Sequence, residues 1–419
     1  MNFSPLKKSV LIAAIAFCGY GTLHAQVTTS SIQGVITQSA GATVTATHLP
    51  SGTVYTGTVN QSGSFNIPNM RVGGPYRIEV SNAGQTPKVY EDIYLQLGEP
   101  FILDSNVSAK ETKIEEVKIV SSATNRRKTG ASTVIGRKQL ENMPTLSRSL
   151  QDFTRITPQA NGNSFGGANN RYNNITIDGA VNNDVFGLAG SGTPGGQAGT
   201  QPISLDAIQE IQVAMAPFDV TQGNFTGAGV NAVTRSGTNT LTGSVYFFGR
   251  NESTIGKSVI TGEKSSKFSD FQYGARVGGP LIKNKLFFFL NAESGRRTSP
   301  LSFNAGEPGS AMTAAIAKQI ADHALTAYGY DVGSYGPQDI QTQNNKIFGK
   351  LDWNINNVHQ FAIRYNFIDA FDDNISRSAN FFRFGNNAYK FNNKQNVVVA
   401  ELRSNFNSKF SNNLILGYS

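Results

Sequence analysis

The 419-residue chain carries 36 Lys and Arg against 28 Asp and Glu, a formal charge of +8 that falls to +6 once Lys7 and Lys8 are removed with an N-terminal leader. The basic residues are dispersed, with no basic run interleaved with aromatics, which argues against nucleic acid as a partner. The single cysteine, Cys18, lies within that leader, so disulfide frameworks, cysteine–zinc sites and cysteine nucleophiles are excluded from the exported protein, whose length suits two or three domains.

Residues 1–25 read as a secretory signal: Lys7 and Lys8, an apolar run from Val10 to Phe17, then LHA before Gln26. The run is too short for a transmembrane helix, and the bulky Phe17 before Cys18 fits a lipoprotein signal badly. Over 26–108, the short β-rich runs SIQGVIT, ATVTATHL, TVYTGTVN, GSFNIPN, YRIEVSN and IYLQL are punctuated by Gly, Pro and Asn, which predicts a small β-sandwich. Residues 109–125 form a linker containing KETKIEEVKIV at 110–120, an acidic pair followed by an alternating strand former. This is either an exposed segment open to strand addition or the last strand of the sandwich.

Residues 126–240 form a third unit. Asp178-Gly179 makes a good turn, and the Gly-rich stretch 186–200 suits a mobile loop that either contacts a ligand or is slack.

From 241 to 419, alternating segments are joined by turns that are long, short, long, short, long and short, as in an outer-membrane β-barrel. In KIFGKLDWNI, Ile347, Gly349, Leu351, Trp353 and Ile355 oppose Lys346, Lys350, Asp352 and Asn354, with Phe348 an exception. In HQFAIRYNF, His359, Phe361, Ile363, Tyr365 and Phe367 oppose Gln360, Ala362, Arg364 and Asn366. Further strands fall near 241–250, 269–282, 286–294, 395–406 and 413–419, making seven. The short turns are KNK at 283–285, Asn356-Asn357, where Asn tolerates positive φ, and NSKFSN near 407. The long loops are roughly 251–268, 295–344 and 369–394. A soluble sandwich also alternates, but it does not share this loop asymmetry. Aromatic clusters at Tyr246–Phe248 and Phe287–Phe289 suit interfacial girdles or packed core. Ile316, Ile320, Ala324 and Ala327 predict a short amphipathic helix within 309–330, in an extracellular loop.

Signals of catalysis fail on inspection. GAGVNA at 227–232 mimics a dinucleotide fingerprint, but a strand follows it; IGKS at 255–258 lacks the glycine that a phosphate loop needs at Asn251. His48, His323 and His359 have no zinc-type pairing, so no metal, cofactor or catalytic residue is expected.

Several stretches resemble known families. GVITQSAGATVTATHLPSGTVYTGTVNQSGSFNIPNMRVGGPYRIEV resembles the carboxypeptidase regulatory-like domain, a non-catalytic module that would serve as a folded spacer. LENMPTLSRSLQDFTRITPQANG and NNRYNNITIDGAVNNDVFG resemble a plug domain. ISLDAIQEIQVAMAPFDVTQGNFTGAGVNAVTRSGTNTLTGSVYFFGRN and GGPLIKNKLFFFLNAE resemble the plug-to-barrel passage and next hallmark of Oar-like TonB-dependent receptors. The resemblance implies a mainly β protein: an N-terminal β-sandwich, an α/β plug and the first strands of an incomplete transmembrane antiparallel barrel of about 22 strands, so that the chain is the N-terminal part of a longer protein. It also implies an outer-membrane transporter rather than an enzyme, with the sandwich in the periplasm. The partners would be TonB with its inner-membrane energising complex, outer-membrane lipid and an unidentified transported ligand, with room for a surface lipoprotein. The alternative is an adhesion or structural barrel without energised transport. Glu115, Glu116, Val117, Lys118, Ile119 and Val120 resemble the Ton box. A plug inside a lumen needs partners for its buried polar groups, which makes Arg171, Asp178, Gly179 and Arg235 candidates for plug structure or plug-to-wall pairing.

Overall fold

The computed structural model describes residues 27–36, 40–82, 87–104, 131–145, 148–184, 186–187, 189–217, 222–259, 262–407 and 409–419; the predicted signal and the segment 110–120 lie outside these.

The N-terminal unit has seven strands: β1 (Ser30–Val35), β2 (Thr43–His48), β3 (Thr53–Thr58), β4 (Ser64–Met70), β5 (Gly73–Ser81), β6 (Lys88–Leu95) and β7 (Pro100–Asp104). They form two sheets, ordered β4-β1-β7 and β3-β2-β5-β6. Alternate residues such as Ile32, Val44, Ala46, Ile67, Ile78 and Ile93 meet between the sheets, as period-two patterning dictates. The sequence pattern misses β7, a five-residue strand whose start is hidden behind Pro100 and which pairs parallel to β1, Ile32 opposite Phe101.

The plug contains β8 (Ser132–Ile135), α1 (Arg137–Asn142), α2 (Leu150–Thr154), β9 (Ala160–Asn161), β10 (Ser164–Phe165), β11 (Asn174–Ile177), β12 (Ala180–Val181), β13 (Ile208–Ala214) and β14 (Gly229–Thr234). Its main sheet runs β12-β11-β14-β13-β8. Helix α2 starts at a capping box in which the Ser149 hydroxyl accepts from Asp152 N and the Asp152 carboxylate accepts from Ser149 N.

The wall is a meander of seven antiparallel strands, β15 (Thr242–Asn251), β16 (Ser269–Ile282), β17 (Leu286–Pro300), β18 (Asp339–Asn354), β19 (His359–Asn374), β20 (Tyr389–Asn407) and β21 (Phe410–Tyr418), each paired with the next. With lengths of 9 to 19 residues, they reach the roughly 9–11 residues that a tilted membrane strand requires. The alternation sorts as the sequence predicts: Ile347, Leu351, Trp353, Ile363 and Tyr365 are exposed on the outer face, while Lys346, Asp352, Gln360, Arg364 and Asn366 are buried on the inner one.

The structure corrects several expectations. Phe348 is no exception to the alternation: it faces inward with Phe289 and joins the plug core, their rings 6.1 Å apart. Tyr246, Phe248, Phe287 and Phe289 all turn inward, so only Phe247 of the first triplet belongs to the exposed outer face. Strands β17 to β20 extend further than predicted, shortening two long loops to 301–338 and 375–388. The turn at Asn356 uses no positive φ; its Oδ1 accepts from Val358 N and His359 N, both at 2.8 Å, whereas Asn284 in the KNK turn does adopt φ 61°. Helix α3 (Ala314–Tyr328) forms between the Thr313 cap and left-handed Gly329, yet it buries Ala317 and leaves Ile316 and Ile320 exposed. Among the described residues no helix is long and apolar enough to cross a membrane.

His48, at the end of β2, is buried with Nδ1 2.7 Å from Ser51 Oγ. Burial, helped by nearby Arg71, pushes its imidazole from 6.5 down to about 3. The neutral form is therefore native, so this contribution to stability is complete above pH 6.5 and is lost as pH falls toward about 3. Amide exchange in β2 and β5 should accelerate across that window, and His48→Gln should flatten the dependence.

Candidate functional site: the seat of the plug

Strand β11 ends in a two-residue turn, Asp178-Gly179, with both residues at positive φ (43° and 77°) and Ile177 paired to Ala180. Such a turn favours Asp-Gly, because glycine takes the left-handed region without cost. Here a Cβ on Gly179 would also come within 2.8 Å of Ile415 on β21. The turn directs the Asp178 carboxylate at the wall, where Arg364 Nε lies 2.9 Å and Lys350 Nζ 4.0 Å from Oδ2. The Nε–H is not aimed at the oxygen, so the contact with Arg364 is an ion pair rather than a hydrogen bond. An Arg364 terminal nitrogen donates to Ile177 O, and Thr234 N donates to Asp178 Oδ1 at 2.8 Å.

Lys350 on β18 and Arg364 on β19 stand directly opposite one another in the ladder. Like charges so placed repel, and the plug carboxylate is what relieves them. Burial would raise the Asp178 carboxyl, but Lys350, Arg364 and Thr234 together hold it below the usual carboxylate range.

A second seat forms at Glu293 on β17. Its carboxylate accepts from Lys346 Nζ at 2.8 Å, Tyr246 Oη at 2.8 Å and plug Ser204 Oγ at 2.7 Å. Glu293 and Lys346 are cross-strand partners, so this charge is neutralised within the wall. Beside it, plug Arg148 pairs with Asp206 and lies over the Phe248 ring, 3.9 Å from its centroid. Asn366 Nδ2 donates to Pro202 O at 2.8 Å. Within 186–200, described residues meet the wall: Ala198 packs with Ile368 and Ala370, and Gln395 donates to Pro194 O at 3.0 Å.

The predicted residues therefore separate. Asp178 meets the wall. Arg235 holds the plug together, with Nε donating to Ile208 O at 3.1 Å and a terminal nitrogen 3.0 Å from Glu141 of α1. Arg171 is exposed and makes no ion pair among the described residues. Glu115–Val120 lie outside the described residues. The wall partners Glu293, Lys346, Lys350 and Arg364 went unselected; their signal was charge at successive inward positions of strands that otherwise face lipid.

The sandwich docks at the short-turn end of the wall. Arg71 pairs with buried Asp352 at 3.1 Å, Thr28 Oγ1 donates to Glu401 at 2.6 Å, and Asn405 Nδ2 donates to Pro68 O at 2.9 Å. It also touches the plug: Leu97 N donates to the Glu210 carboxylate, and Val72 and Leu97 pack on Val233.

Comparison with known proteins bears on these parts. Residues 22–108 match the carboxypeptidase regulatory-like domain, and residues 233–331 match an outer membrane beta barrel domain. Over 157 residues the chain is 32% identical to the TonB-dependent transporter Oar of Myxococcus xanthus; the match covers 34% of this chain and 14% of the transporter's length. Over that third of its length the chain is thus similar to a TonB-dependent transporter of the Oar kind. It resides in the outer membrane with its N-terminal domain in the periplasm. Similar solved structures include the outer membrane transporter YddB of Escherichia coli (12% identity, TM-score 0.49, 68% of this chain and 38% of that one). Another is the siderophore receptor PirA of Acinetobacter baumannii (18%, 0.45, 68% and 39%).

Removing the Asp178 carboxylate leaves buried Arg364 and partly buried Lys350 facing each other, so Asp178→Ala should cost about 3–5 kcal/mol of plug seating. Denaturant-induced release of the plug in the purified receptor would measure this, and adding Arg364→Met should recover part of the loss.

Proposed function

We propose that this receptor takes up a ligand across the outer membrane, with the plug displaced by a pull that TonB applies to Glu115–Val120. The division into signal (1–25), sandwich (26–108), linker (109–125), plug (126–240) and barrel (241–419) belongs to this reading. The observation that carries it is how the plug is held. Apart from Phe289, Phe348 and the small contact of Ala198 with Ile368 and Ala370, its main ties to the wall run through hydrogen bonds and ion pairs at Asp178, Ser204 and Pro202. Such contacts exchange for water at small net cost, so the plug can leave without exposing a large apolar face.

The Ton-box-like segment lies between β7 and β8, and β8 is the edge of the plug sheet, paired only through four residues to β13. Tension there would peel an edge strand one ladder bond at a time rather than shear the whole sheet. Strand addition by TonB would use the free backbone of 115–120. Arg171, Asp178, Gly179 and Arg235 are assigned structural roles in the plug and its seat rather than ligand contact. The relatives are transporters and receptors, and the reading includes no catalytic step. The energy would come from the inner-membrane proton gradient, and the ligand is unidentified.

Val117→Pro with Ile119→Pro removes two strand-pairing donors. The double variant should reach the outer membrane normally yet fail to be captured by the purified periplasmic domain of TonB. Capture equal to wild type would overturn the assignment, and an adhesion barrel would show no capture of either form.

A further inference from the structure

Sandwich, plug and wall together enclose a chamber of about 330 Å³ on the periplasmic side of the plug. Its charged lining is unbalanced. Arg71, Arg137, Arg235, Arg276, Lys350 and Arg403 face Asp178, Asp352 and Glu401. The carboxylates are already engaged: Asp352 with Arg71, Asp178 with both Arg364 and Lys350, and Glu401 with the Thr28 hydroxyl. Glu141, just beyond the lining, is shared by Arg137 and Arg235 at 3.0 Å each, and Arg276 is left 3.8 Å away.

Arg403 is the most telling member. It is 7% exposed, its Nε has no hydrogen-bond partner, and its only ion pair among the described residues is with Glu401 at 3.8 Å. Directly opposite on β19 stands neutral Gln360 rather than a carboxylate. A buried guanidinium without hydrogen bonds is costly, and a planar fork of donors is suited to an oxyanion.

We propose that this chamber binds a small free oxyanion of the phosphate or sulfate class, held chiefly by Arg403 with Arg276 and Lys350. Because the sandwich, the plug and the wall all line it, the anion ties the N-terminal domain to the barrel mouth and strengthens their docking by mass action. Its wall residues Arg276, Lys350 and Arg403 stand on the inward faces of their strands, away from the lipid-facing side, so a free ion rather than a lipid headgroup is the occupant. The proposal does not depend on TonB.

The test is calorimetric titration of the intact purified receptor, in lipid-free micelles, with inorganic phosphate and then sulfate at constant ionic strength set by chloride. Saturable binding that also raises the unfolding temperature is expected, and Arg403→Gln should weaken it about tenfold or more. Lys318→Gln, in an extracellular helix, should leave it unchanged. Absence of saturable binding to the wild-type receptor would overturn the proposal, and so would equal binding by a folded Arg403→Gln variant or binding that appears only when phospholipid is added.

Discussion

A wall one strand thick has to satisfy two solvents at once, hydrocarbon outside and a plug-filled lumen inside. Because side chains alternate along a strand, each strand carries both requirements in a single sequence. Leu351 and Ile363 serve one side, and Lys350 and Arg364, one residue away from each, serve the other. Register is consequently rigid: a slip of one residue would place Arg364 in lipid and Ile363 against the plug. The ladder runs unbroken from Thr342 to Asn354 against Asp372 to Gln360.

Charges directed into the lumen are tolerable only where something meets them, and the three parts of the molecule divide that task. Glu293 is answered inside the wall by Lys346. The repelling pair Lys350 and Arg364 is answered by the plug through Asp178, and Asp352 by the sandwich through Arg71. Wall, plug and periplasmic domain are thus electrostatically incomplete without one another. This couples movement of any one of them to exposure of charge on the others, and a polar interface of this kind combines definite seating with ready hydration on release.

Much of this was legible in the chain itself. Seven wall strands, their inward and outward faces, the short turns and the helix near 314–328 all follow from period-two or helical spacing within about 15 residues. What escaped depends on contacts between distant segments. Phe348 looked misplaced until the plug core supplied Phe289's neighbourhood. The Ile316–Ile320 stripe looked like the buried face until Ala317 proved to be the residue packed. Strand β7 was invisible because five residues beginning at proline show little alternation. Arg171 and Asp178 were indistinguishable as polar plug residues, since only the fold decides that the Asp178 turn meets β18 and β19 while Arg171 faces outward. Docking of the sandwich at the barrel mouth rests on single residues some 300 positions apart, such as Arg71 and Asp352, and no local pattern announces such a pair.

Everything above depends on these strands forming a membrane wall with the plug on its inner face. Single spin labels at successive positions from Gly349 to Trp353 and from Phe361 to Tyr365, in outer-membrane vesicles, test it directly. Lipid-borne oxygen should reach labels at 349, 351, 353, 361, 363 and 365, with 350, 352, 362 and 364 shielded both from oxygen and from a water-soluble relaxing agent. Uniform accessibility along both segments, or oxygen exposure at 350 and 364, would contradict it.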